Sequence, residues 1–159
     1  MREIEAINGS LSGSGRRFGI VASRFNGRLV ESLVEGAIDC LLRHGTAEKD
    51  MVVVRVPGAW EIPAALESLA ASRDLDALIA LGAVVRGETP HFDYICAESS
   101  RGIAAVSERH RVAIGFGVLT CDTTAQAEER AGGKAGNKGW DAALAALEMA
   151  DLLQRLQAK

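Results

Sequence analysis

The sequence predicts an α/β fold built on a four-stranded parallel sheet that helices cover on both faces. Four short apolar runs, each followed by a turn, lie at residues 18–23, 51–56, 77–85 and 112–119. Helical patterns lie between these runs. The runs are apolar at nearly every position instead of alternating with polar residues, as strands are when both faces of a parallel sheet are buried.

The first strand and the first helix have clear patterns. "FGIVAS" (18–23) is a short apolar run that precedes a polar turn, which is typical of a buried strand. From Leu29 to Leu42, apolar pairs recur at positions 29/30, 33/34, 37/38 and 41/42, a spacing that places them on one helical face. Gly45 is the predicted C-cap of this helix.

The second strand, "MVVVRV" (51–56), is rich in β-branched residues and stops at Pro57. Residues 59–72 are predicted to be helical, with Pro63 in the first turn, where a proline is tolerated. The third strand, "ALIALGAVV" (77–85), is apolar throughout and predicted to be fully buried.

The remaining elements follow the same alternation. A helix is predicted over 91–107 and a fourth strand over 112–119, followed by a short helix over 123–131 and a longer one from about 139. The whole chain, residues 1–159, is interpreted as one domain because its length suits a single core. Residues 1–15 are interpreted as a separate N-terminal strand and a flexible tether.

Composition excludes several classes of function. The net charge is −3 and the basic residues are scattered, which argues against nucleic acid or an anionic membrane as a partner. The apolar runs are shorter than the roughly 18 residues that a membrane span needs. The N-terminus lacks the apolar run of a secretory signal, and three cysteines without C-x-x-C spacing suit a cytoplasmic protein with reduced thiols.

The sequence lacks several motifs of nucleotide, flavin and metal sites. "GSLSGSG" precedes a strand, whereas a dinucleotide fingerprint follows one, and "GGKAGNKG" lacks the G-K-[ST] of a phosphate loop. "SRFNGR" after the first strand lacks the Ser/Thr-rich loop that an electron carrier binding a flavin would need. His44, His91 and His110 do not have the spacing of metal ligands, so no metal site is predicted.

The candidate site lies at the carboxyl ends of the strands, where open α/β sheets bind ligands. His91 follows the third strand in "TPH", which is interpreted as N-cap, N1 and N2 of a helix. The positive helix end disfavours imidazolium, which leaves the ring free to accept or donate a proton. The free N–H groups of Glu88, Thr89 and His91 suit a phosphate.

Other residues near the strand ends allow two interpretations. Phe25 and Trp60 are either core residues or a stacking wall for a flat heterocycle. Glu61 either binds sugar hydroxyls or only favours a first helical turn. Arg130 and Lys138, together with Lys134, are either an anion clamp or solvated surface charges.

Five ordered motifs resemble one known family. They are "SRFN" (23–26), "PGAWEIP" (57–63), "GAVVRGETPHFDYI" (82–95), "FGVLT" (116–120) and "ERAGGKAGNKGW" (129–140). Together they resemble the 6,7-dimethyl-8-ribityllumazine synthase family of riboflavin biosynthesis over nearly the whole chain. The resemblance implies a flavodoxin-like three-layer α/β/α fold and a transferase. Its members condense 5-amino-6-(D-ribitylamino)uracil with 3,4-dihydroxy-2-butanone 4-phosphate, without a metal or organic cofactor.

The resemblance also implies a role for each site residue. Phe25 stacks on the pyrimidine, and the backbone groups of Ala83, Val84 and Val85 face the pyrimidine edge. Ala59, Trp60 and Glu61 line the ribityl chain. Glu88 and Thr89 bind the phosphate, and His91 transfers protons. Phe116, Arg130 and Lys138 reach the site from a neighbouring subunit, with Arg130 on the phosphate.

The resemblance also implies an assembly, and two positions depart from the family pattern. It implies a homopentamer, a hollow shell of 60 subunits, an N-terminal strand added to a neighbour's sheet, and riboflavin synthase as a possible partner. Position 60 is commonly Phe and position 83 often carries a hydroxyl, so Trp60 and Ala83 depart from the pattern. The alternative function is a shell or carrier that binds flavin or lumazine without turnover.

Overall fold

The computed structural model describes residues 2–158 and confirms the predicted parallel sheet. The strands pair in the order β2-β1-β3-β4 and are β1 Phe18–Ser23, β2 Met51–Val56, β3 Ala77–Val85 and β4 Ala113–Cys121. The helices are α1 Gly27–Arg43, α2 Ile62–Ser72, α3 His91–His110, α4 Thr124–Arg130 and α5 Lys138–Gln157.

Two layers of helices cover the sheet, which confirms the three-layer, flavodoxin-like arrangement. Phe18, Ile20 and Ala22 of β1 are buried against α1 and α5. Val21 of the same strand is buried on the other face, with residues of α2 and α3. Successive β1 side chains therefore enter opposite cores, and this explains why the strand is apolar from Phe18 to Ala22.

The boundaries differ from the predictions in a few places. A 3₁₀ turn, Ala59–Glu61, precedes α2, and Pro63 lies in the first turn of that helix as expected. α3 continues to His110, where the apolar pattern predicted an end at residue 107. The last turn is held by polar contacts instead, because Glu67 of α2 accepts from Arg109 Nη1 at 2.6 Å and pairs with His110 Nε2 at 2.9 Å.

A short hairpin between α4 and α5 was not predicted. Its strands are β5 Ala131–Gly133 and β6 Gly136–Asn137, which pair antiparallel. Asn137 then caps α5, since its Oδ1 accepts from Gly139 N at 2.8 Å and from Trp140 N at 3.1 Å. The hairpin fixes where α5 begins, and with it the position of Lys138.

The N-terminal segment has a fastened part and an extended part. Ser10 N donates to Asp151 Oδ2 of α5 at 2.8 Å, Arg16 Nη2 donates to Asp151 Oδ1 at 2.8 Å, and Gly13 N donates to His44 O at 2.7 Å. Residues 9–16 therefore lie against the body of the chain. Residues 2–8 form no helix or strand, and residue 1 lies outside the described part. The exchange of this segment between subunits stays a prediction.

Candidate active site

A cleft of about 760 Å³ opens at the carboxyl ends of the strands. It brings together most of the residues that the sequence analysis placed in the site. Those that line it are Phe25, Ala59, Trp60, Glu61, Ala83, Val84, Val85, Thr89 and His91. Glu88 is exposed on the adjacent loop but does not line the cleft.

Exposed aromatic rings form the walls of this cleft. Phe25 is 70% exposed, Trp60 57% and Tyr94 67%, in a chain with only seven aromatic residues. Rings that are exposed at a cleft contribute nothing to the core, but they offer flat apolar surface to a heterocycle. This observation favours the stacking wall over the core interpretation of Phe25 and Trp60.

Tyr94 was missed by the sequence analysis. It lies three residues after His91, and residues at this spacing share one face of a helix. That spacing was the signal in the sequence that would have found it. Both residues line the same cleft in the structure.

The end of β3 is tied to the end of β1 by Asn26. Asn26 has a left-handed backbone conformation (φ 55°, ψ 42°), and its Nδ2 donates to Ala83 O at 2.9 Å. A carbonyl oxygen has two lone pairs, so Ala83 O keeps one acceptor position. Asn26 was not assigned a role from the sequence, although asparagine before glycine at a strand end is a common signal for this conformation.

Glu61 has a structural partner within the chain. Its Oε2 accepts from Gly58 N at 3.0 Å, and Glu61 N donates to Gly58 O at 3.2 Å, so the two residues close the 3₁₀ turn together. This bond fixes the carboxylate at the cleft wall. The side chain keeps further acceptor capacity, so the local role and a role in binding hydroxyl groups are compatible.

His91 is the first residue of α3, one position earlier in the helix than predicted. Pro90, rather than Thr89, occupies the N-cap position, and Asp93 N bonds to Pro90 O at 3.0 Å. Thr89 Oγ1 lies 3.4 Å from His91 N, which is long for a capping bond. The predicted N-cap is therefore wrong by one residue, because the turn closes on the proline carbonyl. His91 remains at the helix start and exposed in the cleft.

The three residues predicted to serve a neighbouring subunit lie elsewhere. Phe116, Arg130 and Lys138 line a separate cleft of about 220 Å³ that runs along β4, an outermost strand of the sheet. Arg130 Nη1 donates to Gln126 O at 3.0 Å, and Lys138 Nζ lies 3.4 Å from Asp141 Oδ2. Within a single chain, the predicted site residues are therefore divided between the large cleft and this smaller one.

Arg86 was also missed by the sequence analysis. It follows β3 directly, and its Nε donates to Asp122 Oδ1 at 2.8 Å. That bond, reinforced by the charge of Asp93, raises the pKa of Arg86 above its ordinary value. No local pattern marks such a residue, since Asp122, which accepts its shortest side-chain hydrogen bond, lies 36 residues further along the chain.

The described residues contain neither a metal-binding group nor a membrane-spanning helix. Within residues 2–158, no three His, Cys, Asp or Glu side chains are grouped so that they could hold a metal ion. In the same part of the chain, every helix is too short or too polar to traverse a lipid bilayer.

Known proteins of one kind match nearly the whole chain. The sequence model described as 6,7-dimethyl-8-ribityllumazine synthase matches residues 15–154. A protein of that name from Aquifex aeolicus (strain VF5) is 58% identical over 154 residues, which is 97% of this chain and 100% of the relative. A second, from Desulfatibacillum aliphaticivorans, is 53% identical over 151 residues, or 95% and 97%. The chain belongs to the 6,7-dimethyl-8-ribityllumazine synthase family.

Proposed function

We propose that the two clefts are complementary halves of an active site that two neighbouring subunits share. The reaction is the family's: this chain condenses 5-amino-6-(D-ribitylamino)uracil with 3,4-dihydroxy-2-butanone 4-phosphate, giving 6,7-dimethyl-8-ribityllumazine, phosphate and water. The single observation that carries the shared site is the position of His91 and Arg130 in separate clefts. A condensation that expels phosphate needs proton transfer and anion stabilisation at one place.

The larger cleft holds the pyrimidine substrate. The exposed ring of Phe25 stacks on the pyrimidine, while the ends of Ala83, Val84 and Val85 offer backbone groups to its edge. The ribityl chain lies along Ala59, Trp60 and Glu61, where the fixed Glu61 carboxylate accepts hydrogen bonds from hydroxyl groups. Support comes from the lining of the cleft and from the exposure of Phe25 and Trp60.

The start of α3 holds the phosphate substrate. Free N–H groups at the positive end of a helix bind anions, and the loop with Glu88 and Thr89 leads into a helix of 20 residues. His91, at the first helical position, transfers protons between the joining amine and ketone. Holding two substrates beside one proton-transfer group lowers the entropic cost of the condensation.

The smaller cleft completes the site of the next subunit. Phe116 is 50% exposed although it is a large aromatic residue, which suits a surface that another subunit covers. Arg130 binds the phosphate there, and Lys138 adds a second cation. The family's ring of five subunits brings the two clefts together, and the short β5–β6 hairpin matches members that form a shell of 60 subunits.

The N-terminal segment takes part in the same assembly. Ile4 is 78% exposed and Ile7 47%, and residues 2–8 form no strand within their own chain. We infer that this segment adds to the sheet of a neighbouring subunit. All three cysteines are free thiols, which supports a cytoplasmic location, where riboflavin synthase is a possible partner.

Catalysis itself is tested by incubating the purified protein with both substrates and recording lumazine fluorescence. A non-catalytic shell or carrier would bind the product without forming it, so the absence of a fluorescence increase would support that alternative. Trp60 and Ala83 depart from the family pattern, but neither is assigned to proton transfer or to the phosphate, so turnover is expected.

The shared site is tested by complementation. His91→Ala and Arg130→Ala are unfolded together, refolded as an equal mixture, and assayed at a low concentration of the phosphate substrate. Random mixing pairs an intact His91 with an intact Arg130 at about one interface in four, so about a quarter of wild-type activity is expected. Each variant refolded alone is the control. If mass spectrometry shows mixed assemblies but activity stays at the level of the controls, both residues serve one chain.

A further inference from the structure

Arg86 joins the ends of the two neighbouring strands β3 and β4. Its backbone N donates to Cys121 O at 2.9 Å, continuing the pairing in which Val85 lies opposite Cys121. Its side chain also connects the ends of β3 and β4, since Nε donates to Asp122 Oδ1 at 2.8 Å. Arg86 therefore has a fixed position relative to the end of β4.

The same side chain also holds the first turn of α3. Arg86 Nη1 donates to Asp93 Oδ1 at 3.3 Å, and its Cζ lies 4.4 Å from the centre of the Phe92 ring. Phe92 is 8% exposed and directly follows His91. Three groups thus engage one guanidinium, namely a carboxylate on each side and an aromatic face.

Asp122 is itself held by the start of α4. Its backbone N donates to Gln126 Oε1 at 2.9 Å, and Gln126 N donates to Thr123 Oγ1 at 3.1 Å in a capping box. The backbone of Asp122, whose carboxylate accepts from Arg86, is therefore held by this turn. α4 ends at Arg130, so the turn joins the elements that carry the two halves of the proposed site.

Arg86 lines neither cleft, which argues against a direct role in binding the phosphate. Two carboxylates already offset its charge, which weakens its attraction for an anion. The Arg86 side chain is also 45% exposed, and ion pairs with this exposure contribute little to stability. The role that remains is to orient neighbouring residues, for which a planar guanidinium with several donors is well suited.

We propose that Arg86 is a positioning residue of the active site, which holds the first turn of α3, and with it His91, against the end of β4. The proposal rests on the proposed role of His91. A reacting group displaced by about 1 Å costs up to about 10²-fold in rate. Arg86 therefore acts on turnover without touching a substrate.

The first test compares Arg86→Gln and Arg86→Lys with the wild type. Arg86→Gln is expected to lower kcat by roughly 10- to 100-fold, and the KM for the pyrimidine should change by less than about threefold. Arg86→Lys keeps the charge but lacks the plane that stacks on Phe92, so it should restore less than half of the lost activity. Arg101→Gln, which removes the 2.7 Å ion pair with Glu98 on the same helix, is the matched control and should leave kcat unchanged.

The second test is a double-mutant cycle, which separates positioning from stability. If Arg86 acts through His91, Arg86→Gln should lower kcat by less than about twofold in a His91→Ala background. A purely structural residue would lower kcat by the same factor in both backgrounds, and that result would overturn the proposal. If His91→Ala alone keeps wild-type turnover, the proposed site is wrong, and the positioning role of Arg86 is wrong as well.

A third variant tests the contact between Arg86 and Asp122 with little expected effect on folding. Asp122→Asn keeps a hydrogen-bond acceptor for Arg86 but removes the charge, and the Asp122 side chain is 66% exposed. It should retain the wild-type melting temperature within a few degrees and lower kcat by a smaller factor than Arg86→Gln. A wild-type kcat in both Asp122→Asn and Arg86→Gln would refute the proposal.

Discussion

His91 and Arg130 lie in different clefts of the same chain. His91 lines the large cleft with the ends of β1 and β3, whereas Arg130 lines the small cleft along β4. The proposed chemistry requires a proton-transfer group and a phosphate-binding cation at one place. Their separation therefore makes the two side chains the most informative positions to change.

His91→Ala is expected to lower kcat by roughly 10²–10³-fold with little change in the affinity for the pyrimidine, the range for losing a positioned proton-transfer group. Steady-state assays of lumazine formation measure both constants. His110→Ala is the matched control, because it removes the histidine at the other end of α3, which pairs with Glu67. Wild-type turnover in His91→Ala would remove this residue from the mechanism.

Arg130→Ala should mainly raise the KM for the butanone phosphate, since it removes the charge-assisted bond that we propose between Arg130 and the phosphate. A loss of about 10-fold or more in affinity is expected for a hydrogen bond to a charged group. Lys134→Ala on the adjacent hairpin is the control, because Lys134 is 81% exposed and does not line the small cleft. Equal KM values for the two variants would contradict the assignment of Arg130.

Deleting residues 2–8 should weaken assembly more than it weakens the fold. These residues are exposed and lie beyond the contacts of Ser10 and Arg16 with Asp151, so the isolated chain loses little by their removal. Analytical ultracentrifugation measures assembly and circular dichroism measures the fold. If the truncated protein assembles as the full chain does, the segment is only a tail.

Asp151→Asn should lower the melting temperature at neutral pH. It should also make the melting temperature less sensitive to acid than that of the wild type. The bond from Ser10 N and the nearby Arg155 lower the pKa of Asp151 from 3.8 to about 2. A carboxyl with a lowered folded-state pKa stabilises the fold above its ordinary pKa, and this contribution is lost as the pH falls from about 4 to 2. Melting temperatures between pH 7 and 2 measure the effect.

Asp74→Asn, at an exposed aspartate, is the control for Asp151→Asn. The control should follow the wild-type acid dependence. If the melting temperatures of Asp151→Asn and the wild type depend on pH in the same way, the ion network around Asp151 does not stabilise the fold.

Gly139→Ala should destabilise the chain by about 1–3 kcal/mol, the usual cost of overpacking. A Cβ at Gly139 would lie 2.0 Å from Leu33 O, so α1 and α5 would have to separate. Gly27→Ala is the control, because nothing lies within 4 Å of its Cβ position at the start of α1. Chemical denaturation should show a loss for Gly139→Ala and no loss for Gly27→Ala.

The sequence by itself was enough to predict the sheet and the location of the large cleft. Burial on both faces makes the central strands β1 and β3 apolar, and burial on one face gives a helix its apolar stripe, so both signals are local. The order of strands and helices then places Phe25, Trp60 and His91 at the same sheet edge. The length of α3 was underestimated because polar contacts with Glu67 replace apolar ones in its last turn.

Only the tertiary structure decided which distant residues come together around the site and where each one lies within a single chain. The pairing of β3 with β4 brings Arg86 to Asp122, and the path of α4 takes Arg130 into a cleft apart from His91. Such contacts join residues far apart in the chain, and they depend on strand order and side-chain direction. A hydrogen bond between distant residues leaves no periodic trace in the sequence, whereas the burial of a strand does.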